Sequence, residues 1–381
     1  MKITKLSLVA ALAVNAAFAG GDIAPVEPAI KAPVAITSTA CNSQTTVNGK
    51  AQLYSYTTDA VDFFDKDSSA VAAGVTLNVA HKLSDNITAN FTAVGNANFG
   101  NKTSGYMESH KRGSFFNIAN LTGTFGDTTV IAGRQLIDSP MFGSFDWLLA
   151  PSSFEAYTLV NGSISNVTLV GTYVREMRAN NTGNAWVDLT DINDGNNYAL
   201  GAVYGADALN ASVWYYNIDA GDYTQVYTDA GYNFGMANLA AQFATTDYAT
   251  TDDSTAYGVK VGTEIAGINL TAAMNMVSDA TTGFVERDAL YTSSWNTMAS
   301  TIAVANDDTL SWKVGASTEL SGLNAELSYA GYGDDGSELD LILGYDVTPC
   351  TNLAAIYTST TANTPEADAL NALELVGTYK F

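Results

Sequence analysis

From Thr45 onward, apolar and polar residues alternate in segments of about ten, the period-2 pattern of a strand with two different environments on its faces. The segments run over 45–57, 72–83, 87–99, 115–125, 128–137, 155–162, 167–177, 198–206 and 211–218. They continue over 223–234, 237–248, 255–266, 268–277, 310–320, 323–333, 338–347, 352–361 and 371–381. The last is the clearest: Leu373, Leu375, Gly377, Tyr379 and Phe381 share one face, and Ala372, Glu374, Val376, Thr378 and Lys380 the other. Ten residues is the length of a tilted strand crossing a bilayer. Connections alternate between short turns, such as Gly126-Asp127, and long loops, of which Ser278–Asp308 is the longest. The pattern predicts a transmembrane antiparallel β-barrel of about eighteen strands, with sixteen as the alternative count. Its last strand must pair with its first, because an open edge in lipid leaves backbone groups unsatisfied.

Residues 1–19 have the basic start, apolar centre and Ala17-Phe18-Ala19 end of an export signal, and 20–44 reads as a Pro- and Ala-rich lead-in to a barrel domain at 45–381. No downstream stretch approaches eighteen apolar residues in a row, so no transmembrane helix is expected. Without the signal, which holds Lys2 and Lys5 and no acid, 14 basic residues face 39 acidic ones, a net charge of −25. That argues against nucleic acid as a partner. Only 14% of residues are charged, against about a quarter in soluble domains. Nothing in the residue spacing calls for a cofactor or a metal: His81 and His110 stand alone, and the Asp/Asn-rich stretch 188–197 lacks an EF-hand's closing glutamate and reads as an Asx-turn loop. Cys41 and Cys350 fall at the same end of the barrel near its seam, which favours a disulfide over two free thiols in an exported chain.

Strand parity assigns the lumen. With the apolar run outward, Lys50, Lys260, Glu264, Lys313, Glu326, Glu338, Asp340 and Glu374 point inward. With Ile131 and Gly133 outward, Arg134 also points inward. Charges facing mid-bilayer lipid cost several kcal/mol, so such segregation is what a barrel needs.

Lys5–Ala13 resembles the export signal of the Campylobacter-type major outer membrane porins. Ala132-Gly-Arg-Gln-Leu-Ile-Asp-Ser-Pro and the later Leu148-Leu-Ala-Pro-Ser-Ser-Phe-Glu resemble the strand-into-constriction-loop passage of OprD-type porins. The terminal Tyr379-Lys380-Phe381 is similar to the closing signature of outer membrane barrels. The resemblance implies an eighteen-stranded outer membrane barrel, usually a homotrimer, set among membrane lipid and lipopolysaccharide, with its third loop folded inward. In that loop Asp138, Asp146 and Glu155 would edge the constriction, above Arg134. The chain departs from the OprD pattern in being poor in arginine, so a long basic ladder is not expected. The expected function is a non-enzymatic, water-filled channel for ions and small hydrophilic solutes, mildly cation-selective. The alternatives are a surface or adhesin barrel with a closed pore, and a barrel enzyme, for which no nucleophile with a base in reach is legible.

Overall fold

The computed structural model describes residues 44–99, 113–192, 195–301, 309–333, 336–361 and 369–381. The signal, Cys41, His110 and nearly all of the lead-in lie outside the described residues. Eighteen long strands form the wall: β1 (Thr45–Thr58), β2 (Ser69–Lys82), β3 (Ile87–Asn98), β4 (Gly113–Phe125), β5 (Thr128–Gln135) and β6 (Ser153–Ile164). Then come β7 (Val167–Arg178), β8 (Asn197–Ala206), β9 (Leu209–Ile218), β10 (Tyr223–Asn233), β11 (Ala237–Tyr248) and β12 (Ser254–Ile265). The last are β13 (Ile268–Ser278), β14 (Thr309–Leu320), β15 (Leu323–Gly331), β16 (Ser337–Thr348), β17 (Thr351–Thr361) and β18 (Leu370–Lys380).

Every strand pairs antiparallel with its chain neighbours, and β18 pairs with β1 from Lys50 opposite Lys380 to Thr58 opposite Ala372. The seam is finished by Gly49 and Phe381, whose backbone N–H groups each donate to the other's carbonyl at 2.8 and 3.0 Å. The barrel is closed, and no strand edge is left for lipid to meet. Short turns, most of two residues, close one end. At Ala266-Gly267 and Ser321-Gly322 both residues have positive φ, the turn geometry whose twist matches paired strands. The other end carries the long loops. A two-residue strand the sequence did not foreshadow, Val187–Asp188, extends the pairing of β7 within the loop after it.

The outer wall is apolar: Leu53, Val213, Leu239, Val259, Leu327 and Leu353 are all about half exposed. Their strand neighbours Tyr54, Trp214, Ala240 and Ser328 are buried inside. The parity expected for Lys50, Lys260, Glu264, Lys313, Glu326, Glu338, Asp340 and Glu374 agrees with this alternation, since each lies between outward residues of its own strand.

Arg134 and Glu155 need correction. Val130, Ala132 and Arg134 of β5 lie opposite Gly123, Leu121 and Ala119, and Leu121 faces outward at 50% exposure. Glu155 pairs with Arg134 and shares the face of Tyr157 and Leu159, both about half exposed. Both charges therefore sit on the outer wall. Val130-Ile131-Ala132-Gly133 is apolar at four successive positions, so alternation within the strand selects no face; the cross-strand partners do. Arg134 and Arg175 approach the Glu155 carboxylate at 3.8 and 3.9 Å, and the Trp186 ring lies 4.1 Å from the Arg134 guanidinium. This cluster lies beyond the cross-strand row Tyr157–Tyr173–Tyr198, toward the long-loop end. Polar charge is tolerated there, at the level of a membrane interface.

Candidate functional site

Among the described residues, loops 3 and 7 enter the barrel. Loop 3 (136–152) is drawn in by its apolar side chains. Met141 and Phe142 are buried against β6–β10, with the Phe142 and Phe154 rings edge-on at 5.2 Å. Leu148 and Leu149 fill the opposite side, against Tyr54, Tyr56, Ala70 and Ala72. The inward face of β2 is built of small residues to receive them: a Cβ on Gly74 would stand 3.1 Å from Leu149. Carbonyls freed by the irregular path are taken up by the end of β7 and the loop after it. The Asn180 Nδ2 donates to Trp147 and Ala150 carbonyls at 2.8 and 2.9 Å, and the fully buried Arg178 donates to Pro151 at 2.8 Å.

Loop 7, of which 279–301 is described, buries Ala289, Leu290 and Ala299 in the same apolar cluster and adds polar anchorage. Asp288 organises it from within, accepting from the Leu290 and Ser300 N–H groups at 3.1 and 2.9 Å and from the Ser293 hydroxyl at 2.6 Å. Its tip then docks on carboxylates of the barrel wall. The Trp295 N–H donates to Asp340 at 3.2 Å, and the Asn296 N–H and Thr297 hydroxyl donate to Glu338 at 2.6 and 2.5 Å. The Lys313 ammonium donates to the Ser293 carbonyl at 2.8 Å. The two loops also join. Phe142 and Val285 form a parallel bridge, and Arg287 donates to Asp138 at 2.6 Å. Glu286 accepts from the Asn180 N–H at 3.1 Å, and burial pushes its carboxyl above the ordinary glutamate range.

Both loops and the barrel seam meet at Glu374. Its carboxylate accepts from the Tyr54 hydroxyl of β1, from the Trp147 indole of loop 3 at 3.2 Å and from the Trp295 indole of loop 7 at 2.7 Å. Below this junction, on the short-turn side, lies a chamber of about 340 Å³. Asp146 and Trp147 are at its roof, Lys50 and Lys380 on the seam wall, and Glu319 and Glu326 on β14 and β15.

Of the residues expected from the sequence, Asp146, Lys50 and Glu326 line the chamber, Glu338, Asp340 and Glu374 hold loop 7, and Asp138 ties it to loop 3. Lys260 stands over the Tyr291 ring at 5.1 Å, and Glu264 is exposed at the short-turn rim. Basic and acidic groups are interleaved along the wall. Cys350 is exposed in the turn between β16 and β17. Sequence reasoning missed loop 7 as a lumen element. The signal was its uncharged polar-aromatic run Tyr291-Thr-Ser-Ser-Trp-Asn-Thr, unusual for a solvated loop.

No family model matches the chain, and no curated protein matches it. Solved structures do. OccD3 (OpdP) of Pseudomonas aeruginosa is 17% identical, with a TM-score of 0.71 over 88% of this chain and 91% of that one. OpdK, an outer membrane protein of the same organism, is 16% identical at a TM-score of 0.72 over 88% and 98%. A BenF-like porin of Pseudomonas fluorescens Pf-5 is 12% identical, again at 0.72 over 88% and 98%. The chain thus has the closed, eighteen-stranded transmembrane fold of OprD/Occ-type outer membrane porins.

Proposed function

We propose that the protein is an outer membrane porin, a channel for ions and small hydrophilic solutes with a narrow, loop-built constriction and a mild preference for cations. The observation that carries this reading is the chamber under Glu374: a polar, charged cavity inside a lipid-facing barrel, roofed by side chains of two inward loops. A barrel wall alone would enclose a wide lumen. Loops 3 and 7 reduce it to the space around one carboxylate and two indoles. Cation preference follows from the chamber's charges, where Asp146, Glu319 and Glu326 outnumber Lys50 and Lys380. The long-loop end is then extracellular, and the tyrosine row with its charged cluster sits at the outer leaflet.

The closed-pore surface barrel is the second reading, favoured by the close contact of both indoles with Glu374. Single-channel recording in a planar bilayer under a KCl gradient separates the two. Small ohmic steps with a cation-favouring reversal potential are expected. Folded protein, verified by heat-modifiable gel mobility, that never conducts would leave the closed barrel.

A further inference from the structure

The tip of loop 7 rests on two neighbouring carboxyls. Glu338 and Asp340 are two residues apart on β16, so both point into the barrel, and they are 0% and 2% exposed. Their side chains are within hydrogen-bonding reach of each other. Both Glu338 oxygens are answered by loop 7, through the Asn296 N–H and the Thr297 hydroxyl. Asp340 Oδ2 accepts from the Trp295 N–H and, at 3.3 Å, from the Ser328 hydroxyl. Asp340 Oδ1 is different: it is sealed from solvent, and no donor reaches it.

On neither flanking strand does a base stand opposite the pair. The partners on β15 are Ala330 and Ser328, and those on β17 are Thr360 and Thr358. The other ionisable groups around it are mostly acids: Glu326 on β15, Glu374 on β18, Asp288 in loop 7 and the Tyr332 phenol just beyond β15. The Lys313 ammonium, on β14, donates to the Ser293 carbonyl. Two carboxyls in contact away from water do not both ionise; such a site keeps one proton between them. A proton here supplies the hydrogen bond that Asp340 Oδ1 lacks. Undocking of loop 7 would admit water, and a hydrated carboxyl gives up its proton well below neutral pH. Docking therefore takes up a proton, is favoured at low pH and weakens as pH rises.

We propose that Glu338 and Asp340 share one proton while loop 7 is docked, and that its release undocks the loop and widens the channel; this regulation rests on the porin reading. The test is single-channel recording of the full chain carrying Glu286→Gln, so that the Glu286 carboxyl does not contribute, from about pH 6 to about pH 9, above the range of ordinary carboxyls. Conductance should rise reversibly and several-fold with pH, the docked-to-undocked ratio changing by at most about tenfold per pH unit, the limit for one proton. Asp340→Asn keeps a hydrogen-bond donor beside Glu338 at every pH and should abolish the rise. Glu338→Gln should abolish it as well, so one variant decides if the other does not fold, as read by heat-modifiable mobility. A conductance flat with pH overturns the proposal, and so does a rise of equal size in the folded variants. If the protein never conducts, the porin reading fails separately. Infrared difference spectra of the detergent-solubilised chain between the same pH values then decide the proton. A protonated-carboxyl band that is lost as pH rises, and is missing in Asp340→Asn, supports the sharing; the same band in both, or none in either, refutes it.

Discussion

Loops 3 and 7 both fill the lumen and both bury apolar side chains there, yet they differ in how much polar anchorage to the wall they add. Loop 3 buries Ile137, Met141, Phe142, Leu148 and Leu149, so its anchorage is apolar area removed from water. Loop 7 buries Ala289, Leu290 and Tyr291 as well, and its tip adds a set of hydrogen bonds from Trp295, Asn296 and Thr297 to the carboxylates of Glu338, Asp340 and Glu374. Apolar anchorage is insensitive to pH and is built into the fold. Carboxylate anchorage changes with protonation. Loop 7 is therefore expected to respond to pH more than loop 3.

The sharpest break in this comparison is removal of loop 7. Replacing residues 286–300 with a short Gly-Ser link should raise single-channel conductance several-fold while gel mobility stays that of a folded barrel. Unchanged conductance would place the narrowest point elsewhere. Stability offers the next contrast, read by urea unfolding in lipid vesicles. Phe142→Ala should cost about 3–5 kcal/mol. Thr297→Ala should cost about 1–2 kcal/mol, the worth of one charge-assisted hydrogen bond. Equal costs would erase the distinction between the loops.

A smaller effect is expected from Glu286, whose carboxyl burial holds above the ordinary value of 4.5. The docked loop binds the proton more tightly than the undocked one. This contribution to docking is therefore complete below 4.5 and is lost as pH rises through the docked value. Conductance should fall as the solution is acidified across that window, and Glu286→Gln should remove that part of the dependence. A dependence of the same size in the variant would assign it to other groups. Smallest is the expected disulfide between Cys41 and Cys350 at the short-turn end. Peptide mapping without reductant should recover the linked pair, and recovery of both thiols free would dismiss it.

Much of this was legible in the chain. Alternation gave the strand number to within the expected count, and the inward side of β1, β12, β14, β15, β16 and β18, because each carries an unbroken apolar face. The resemblance of 132–140 and 148–155 to a constriction loop located loop 3, and its apolar residues explain why it docks. β5 was misread because four consecutive apolar residues carry no parity, and with it went Arg134 and Glu155. Loop 7 was overlooked for a related reason. Its partners Glu338, Asp340 and Glu374 were recognised as inward, but a carboxylate's hydrogen-bond donor leaves no periodic trace in a sequence.

The sequence by itself determined that this chain makes a closed, lipid-facing β-barrel, because lipid on one side and polar groups on the other impose a two-residue period that can be read locally. Only the tertiary structure decided what fills the barrel. The junction at Glu374 joins residues 54, 147, 295 and 374. Contacts of that separation arise when the wall closes and sets the loops against it, and no local pattern encodes them.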